Sequence, residues 1–362
     1  MTLAAERVDE VRDLVRGATG RLLPRGGGSK PALSTPPHDD VVTVDVSGLR
    51  GIVAYDPAEL TFIAQAGTPI AELDAALAEH GQHLPFDPPL APAGATLGGV
   101  VAAATSGPGA LRSGGVRDFV IGVRFVDGAG RLVSGGGRVV KNAAGFDLPK
   151  LMVGSRGRLG VMVELSMKVF PRPRASATLE IAAGDLRAAV GVAAALSAGP
   201  WELDALELAP DGRLLARLAG DPEPMEARIA RLVPALPGGA TARRLPASEA
   251  EALWRATADA AWVPDGMRLL RAACTPAAVA PLWDAVAAAG GDARFGRAGS
   301  VAWIAWPAAA PLNALDAALD DLGLAATALT GPPLPEVLGA VRGGAFAQRI
   351  RAALDPDRRF LD

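Results

Sequence analysis

The sequence predicts an α+β protein built in two different parts, and three observations carry that expectation. Leu159, Val161, Val163, Leu165, Met167 and Val169 alternate with period two, the pattern of a long strand with one buried face. Downstream of Pro171-Arg172-Pro173-Arg174 the pattern runs strand, helix, strand, strand, helix, an order that folds as an antiparallel sheet covered by helices on one face. All six tryptophans (Trp201, Trp254, Trp262, Trp283, Trp303, Trp306) follow that proline pair, while all three histidines (His38, His80, His83) precede it. Prolines stop a strand, so the boundary falls there.

The elements follow in order. Met1 to Arg16 mixes acids and bases around Val8, Val11, Leu14 and Val15, and reads as an amphipathic helix instead of a signal peptide. Val41–Val46, Thr61–Ala66 and Phe119–Val126 are β-type runs bounded by turn residues. Thr68-Pro69 is a helix start, with Thr68 as N-cap and Pro69 in the first position. Ile70, Leu73 and Leu77 continue that helix and Gly81 ends it. Asp127-Gly128-Ala129-Gly130 turns the chain into Arg131–Ser134. Beyond the boundary come strands at Thr178–Ile181, Leu203–Leu208 and Arg213–Leu218, with helices near Asp185–Leu196 and Glu223–Val233. A last helical pattern runs from Pro335 to Leu354, and no strict internal repeat is legible. The expected domains are 1–173, 174–333 and a C-terminal helix in 334–362 that packs back on the first.

Composition narrows the chemistry. A chain of 362 residues, half of them hydrophobic, buries a core without staples. Its net charge of -3 gives no reason to expect nucleic acid, and no stretch of about 18 uninterrupted apolar residues spans a membrane. A cytoplasmic location is expected, with any membrane association at the inner membrane running through partners. Cys274 is the single cysteine, which excludes an internal disulfide, a Cys-based zinc site and an iron–sulfur cluster held by this chain alone. Between Arg138 and Arg174 eight basic residues stand against two acidic ones, a field suited to a bound anion or an acidic partner surface.

Four glycine clusters could carry chemistry. In Arg25-Gly26-Gly27-Gly28-Ser29-Lys30, three glycines let backbone N–H groups converge on one point, as a diphosphate requires; a plain flexible turn has the same pattern. Gly94-Ala95-Thr96-Leu97-Gly98-Gly99, continuing to Ser106-Gly107-Pro108, lets a flat ligand lie against the backbone, or a helix pack tightly on a sheet. Gly114-Gly115-Val116-Arg117-Asp118 precedes a strand. Lys141-Asn142-Ala143-Ala144-Gly145-Phe146-Asp147 is followed by Gly154-Ser155-Arg156-Gly157-Arg158-Leu159-Gly160-Val161. Neither a nicotinamide fingerprint nor a phosphate-binding loop ending in Gly-Lys-Ser/Thr is present.

In that order, over residues 1–173, these motifs resemble the FAD domain of the vanillyl-alcohol-oxidase-type (PCMH-type) flavoproteins. Within that family they are most similar to FAD-binding subunits of bacterial glycolate oxidases. The resemblance implies a two-subdomain FAD-binding domain followed by a smaller α+β cap with an antiparallel sheet. It places the FAD pyrophosphate against Arg25, Gly26, Gly27, Gly28, Ser29 and Lys30. Gly94, Thr96, Gly98, Gly99, Ser106 and Gly107 would line the flavin and ribityl chain, Gly160 and Val161 would contact the dinucleotide, and Asp118 would close a loop. It further implies oxidation of glycolate, a small 2-hydroxy acid, with a catalytic flavoprotein subunit and an iron–sulfur subunit as partners.

The chain departs from the family in places. No histidine follows His83, so the second-domain histidines of related 2-hydroxy-acid dehydrogenases are absent, and none lies in Gly94–Pro108 for covalent attachment. FAD is therefore expected to be non-covalent. Phe146 stands where the family often has tyrosine, and Arg156 and Arg158 interrupt Gly-Ser-Glu-Gly-Thr-Leu-Gly. Three readings stay open: an FAD subunit of a complex, a free-standing oxidoreductase using Asn142, Asp147 and Arg117 near the flavin, and a flavin-binding scaffold that does not turn over. No catalytic residue is assigned.

Overall fold

The computed structural model describes residues 1–137, 146–333, 337–341 and 343–361. The Lys141–Gly145 part of the fourth cluster, with Asn142, lies outside them.

Residues before the boundary form two main sheets. Leu22–Arg25, Val42–Asp45 and Thr2–Ala4 make a parallel three-stranded sheet with Val42–Asp45 in the centre. Five antiparallel strands run in the order Ile52–Asp56, Thr61–Gln65, Val161–Lys168, Val120–Val126, Leu132–Gly136. The period-two strand is thus central, beginning at Val161 rather than Leu159. Its Leu165 and Met167 pack with the helices Ile70–Ala78 and Leu97–Ala103, while Val161 and Val163 join a second core with Val11 and Val15 of the N-terminal helix. These four residues share one face, so the strand spans both cores end to end, while Glu164, Ser166 and Lys168 on the other face are half-buried.

One cap differs from expectation. Pro69, not Thr68, is the N-cap of Ile70–Ala78. The Thr68 hydroxyl instead donates to the Gln65 carbonyl at 2.7 Å and accepts from the Gly51 N–H at 2.9 Å, tying two loops together. Proximity of Gly51 in space, invisible in sequence, outcompetes the local cap.

The second part is a nine-stranded sheet whose neighbouring strands are all antiparallel. It contains a structural repeat that the sequence hides. Residues 175–244 and 267–328 each run strand, helix, strand, strand, helix, strand. The two units meet where Leu208 opposes Phe295, and from that seam each places its strands in the order second, third, first, fourth. Leu206, Leu208, Leu270, Phe295 and Ile304 face the helices, with Val192, Leu282 and Leu315 packed on them. The opposite face carries Glu207, Arg217 and Arg271, because side chains alternate along a strand. Helix Ala247–Ala258 covers the first unit's share of that face, its Trp254 indole donating to Thr178 at 2.9 Å.

The C-terminal segment divides its contacts between both parts. Leu338–Gly339 adds the last strand to the nine-stranded sheet, and the final helix spans Gly344–Leu354, shorter than its sequence pattern. Asp355 is fully buried beyond it and accepts from the N–H groups of Arg359 and Phe360 at 2.7 and 2.9 Å. Phe360 enters the core of the three-stranded sheet beside Leu22. Arg217 joins the two parts: it meets Asp87 and Asp204, each at 2.5 Å, and lies over the Trp254 ring.

Candidate cofactor site

A groove opens where the three-stranded sheet, the five-stranded sheet and helix Leu97–Ala103 converge. Arg25 to Lys30, Thr96, Gly98, Gly99, Gly160 and Val161 line it, so residues from three separated motifs share one wall. Gly94 stands just behind. A Cβ on Gly27 would fall 1.8 Å from the Gly94 carbonyl oxygen, and one on Gly26 would fall 2.4 Å from the Thr96 hydroxyl. These glycines are needed for contact between loops, beyond any freedom of φ. Gly160 is similar, because a side chain there would strike Phe125 and the Val126 carbonyl at 2.7 Å.

The turn after strand Leu22–Arg25 leaves its amides open. The N–H groups of Gly26, Gly27, Gly28, Ser29 and Lys30 have no acceptor among the described residues. Gly27 and Gly28 are exposed, Gly26 and Ser29 half-buried and Lys30 buried, and successive free donors in one turn offer a place for an anion. Lys30 strengthens it. The side chain is only 5 % exposed, touches Ser29 Oγ at 3.4 Å, and has its pKa lowered by burial to about 8. A buried ammonium facing a groove without a carboxylate partner is costly unless an anion joins it.

Arg25 has another duty. Its guanidinium binds Asp45 at 2.6 Å across the parallel pair. Burial would raise the Asp45 pKa, but Arg25 and the Ser47 N–H hold it below its ordinary value. Arg25 therefore anchors the turn, and its backbone lines the groove.

Ser106, Gly107 and Asp118 lie away from this groove, at the seam with the nine-stranded sheet. Ser106 Oγ accepts from the Val116 N–H at 2.9 Å, the Gly107 N–H donates to Phe86 at 2.8 Å, and Asp118 Oδ2 accepts from the Gly115 N–H at 2.9 Å. The Gly115 turn they brace abuts Arg297.

Three groups escaped the sequence reading as site residues. Arg156 lines the groove with a left-handed φ of 52°, where burial lowers its pKa. The hydroxyls of Thr105 and Ser155, chain neighbours of the groove segments at Ala103 and Arg156, are buried with no partner among the described residues. Arg156 and Ser155 stood in a quoted motif, but nothing in the pattern shows which way a side chain turns.

Of the basic residues between Arg138 and Arg174, Arg138 and Lys141 lie outside the described residues. Lys150 donates to the Val120 carbonyl at 2.8 Å and to that of Arg117, while Arg117 donates to the Lys150 carbonyl at 2.6 Å. Arg174 pairs with Asp221 at 3.4 Å, and Arg156 turns into the groove. Lys150, Arg156 and Arg174 thus make separate local contacts. Among the histidines, His83 meets the Phe170 carbonyl at 3.2 Å and His80 stands edge-on to Tyr55. Cys274 is buried, its thiol pushed up to about 11 by burial. No helix among the described residues is long and apolar enough to cross a membrane.

Comparison with known proteins bears on the same region. Residues 1–136 match a family model described as an FAD binding domain. The glycolate oxidase subunit GlcE of Escherichia coli (strain K12) is 45% identical over 204 residues, covering 55% of this chain and 56% of that protein. The glycolate oxidase subunit GlcD of Bacillus subtilis (strain 168) is 32% identical over 158 residues, 44% of this chain and 33% of that protein. The D-lactate dehydrogenase of Archaeoglobus fulgidus is 30% identical over 176 residues, 48% and 39%. The chain thus spans little more than half of the first relative and about a third of the others. A solved alkyldihydroxyacetonephosphate synthase superposes with a TM-score of 0.73 over 99% of this chain and 76% of that one, at 17% identity. That likeness shows the fold alone: a two-part α+β arrangement whose second part holds an antiparallel sheet.

Proposed function

We propose, from the premise that residues 1–136 form an FAD-binding domain, that this chain is the FAD-binding subunit of a glycolate (2-hydroxy acid) oxidase or dehydrogenase complex. The observation that carries the cofactor half of this reading is the set of five free N–H groups from Gly26 to Lys30 beside a buried, carboxylate-free Lys30. That cradle fits a diphosphate, the charged centre of FAD. The likeness to GlcE supports the choice of substrate class and of a complex.

Bound FAD would supply two-electron chemistry, accepting hydride from the α-carbon of the hydroxy acid. The protein's part is positioning. The Gly26–Lys30 amides and the Lys30 ammonium hold the diphosphate, a charge-assisted arrangement stronger than neutral hydrogen bonds. Thr96, Gly98 and Gly99 give a flat wall against the cofactor's stem, with Gly94 behind holding the turn in register. Gly160 and Val161 close the opposite side. Ser106, Gly107 and Asp118 shape the seam towards the second domain, where the flavin ring would meet substrate.

Attachment is non-covalent in this reading, since His80 and His83 are engaged elsewhere and Cys274 is buried in the second domain's core. One cysteine cannot hold an iron–sulfur cluster, so electrons leave through a catalytic flavoprotein subunit and an iron–sulfur subunit. The site of action is cytoplasmic, with inner-membrane association through those partners. The domain division is 1–173, 174–333 and 334–362, the last adding Leu338–Gly339 to the second domain's sheet and returning to the first at Phe360.

The visible spectrum of the purified chain, before and after acid precipitation, tests this. Flavin bands that leave with the supernatant are the expected result. Bands retained in the pellet would refute non-covalent binding, and a colourless chain that ignores added FAD would refute the cofactor assignment. Glycolate turnover by the purified single chain would favour a free-standing enzyme.

A further inference from the structure

The loop from Ser106 to Gly109 is held from two directions, one of which crosses the domain boundary. Asp87 grips it twice: its carbonyl accepts from the Gly107 N–H at 3.0 Å, and its Oδ2 accepts from the Gly109 N–H at 2.9 Å. No side chain fits between the two segments. A Cβ on Gly107 would fall 2.3 Å from the Asp87 carbonyl oxygen, and one on Gly109 would fall 2.2 Å from that of Pro85. Asp87 makes both bonds from a left-handed φ of 45°, a conformation that a non-glycine residue keeps only where its surroundings enforce it.

The second hold comes from the other domain. Arg217, on strand Arg213–Gly220, donates from Nη2 to the same Asp87 Oδ2 at 2.5 Å. Its own placement is fixed. Nε donates to Asp204 Oδ2 at 2.5 Å, the Asp204 N–H returns to the Arg217 carbonyl at 2.7 Å, and the guanidinium lies 4.9 Å from the centre of the Trp254 ring. Trp254 is fixed in turn by its bond to Thr178. The Arg217 side chain is 17 % exposed, so solvent and salt screen its bond to Asp87 little. Nη2 also stands 3.2 Å from where a Cβ on Gly109 would lie, so the guanidinium abuts the loop itself.

We infer that Arg217 and Asp87 are positioning residues, through which the second domain sets the Ser106–Gly109 loop against the flavin ring. One carboxylate oxygen receives a charged donor from one domain and a backbone donor from the other, and the charge-assisted bond is the stronger of the two. Without Arg217 the Asp87 carboxylate can turn toward water. The Gly109 N–H and the left-handed Asp87 backbone then lose the contact that fixes them. The Gly26–Lys30 turn shares no hydrogen bond with this chain of contacts among the described residues, so holding the cofactor and placing its ring are separable. The flavin half of the inference rests on the reading under Proposed function; the coupling between Arg217 and the loop stands without it.

Hydrogen exchange of the flavin-free full chain, resolved to the Gly109 amide, tests the coupling. Visible circular dichroism of the FAD-loaded chain tests its effect on the flavin. Arg217→Met is expected to speed exchange at Gly109 about tenfold or more beyond any change in the strand Val161–Lys168, which reports global opening. Arg217→Lys keeps the charge and loses the fork, and is expected to lie between. With FAD bound, Arg217→Met is expected to change the intensity of the flavin dichroic bands while Kd stays within about threefold of wild type. Gly109 exchange that merely tracks the core strand in folded Arg217→Met would reduce the pair to an interdomain staple and overturn the proposal. Flavin bands identical to wild type would overturn its flavin half. Should Arg217→Met fail to fold, Asp87→Asn decides: asparagine adopts the left-handed φ, loses the ionic bond, and is expected to reproduce both changes. A chain whose Gly109 exchange responds but which shows no flavin bands would refute the cofactor reading and leave the coupling standing.

Discussion

Replacing Gly27 by alanine tests the cofactor cradle at its tightest contact. The new Cβ would fall 1.8 Å from the Gly94 carbonyl oxygen, where no side chain can yield, so one of two backbone segments must move by more than an ångström. Overpacking of this kind costs about 1–3 kcal/mol. Movement also turns neighbouring N–H groups away from the anion, and each hydrogen bond to a charged group contributes about 1.5–3 kcal/mol. Allowing for partial relaxation, FAD affinity is expected to fall by about 2–4 kcal/mol, roughly 30- to 1000-fold in Kd. Gly28→Ala is the control: its Cβ would meet open space, and only the left-handed φ of 70° is strained, at about 1–2 kcal/mol. Flavin fluorescence quenching on titration of deflavinated protein gives both Kd values, and melting of the ligand-free forms separates folding from binding. Gly27→Ala binding FAD within threefold of wild type, or losing less than Gly28→Ala, would refute the reasoning.

Other consequences follow from charge and burial. The folded pKa of Lys30 is lowered from 10.5 to about 8, so the unfolded chain holds more protons between those values and stability rises with pH across that window. A bound diphosphate would restore the charge, so FAD Kd should rise by up to about tenfold per pH unit above pH 8, a dependence that Lys30→Met abolishes in the same titration. Glu207 is the opposite case: its folded pKa of about 7 exceeds the ordinary 4.5 because of burial, although the Arg297 N–H resists the shift. Its stabilising contribution is complete below about pH 4.5 and lost as pH rises through 7, so Glu207→Gln should flatten that decline in melting curves taken from pH 5 to 8. Arg217→Met leaves Asp87 and Asp204 facing each other part-buried, with an expected loss of about 2–4 kcal/mol by urea unfolding and faster protease cleavage near Arg172–Arg174. Unchanged unfolding would show that the bridge is ornamental.

Legibility differed by element. The strand at Val161–Lys168, the helix at Ile70–Ala78 and the β-α-β-β-α order after Arg174 were readable because burial of one face writes its period into neighbouring residues. The Thr68 cap was misread because Gly51, distant in sequence, claims that hydroxyl. The tandem repeat after residue 175 was invisible because packing conserves apolar periodicity, which many side chains satisfy, and not residue identity. For the groove, the glycine motifs named most of its lining, while Arg156 became visible as part of it only once the chain was folded.

By itself the sequence determined the two-part α+β division, the glycine turns and the absence of later histidines, since each depends on local backbone freedom or residue inventory. Tertiary structure alone decided which charges are spent and which are free. Arg25 is consumed by Asp45 and Lys150 by two carbonyls, whereas Lys30 is left facing a groove without a carboxylate partner among the described residues. A cation's chemistry depends on its neighbours within a few ångströms, and those neighbours come from distant parts of the chain.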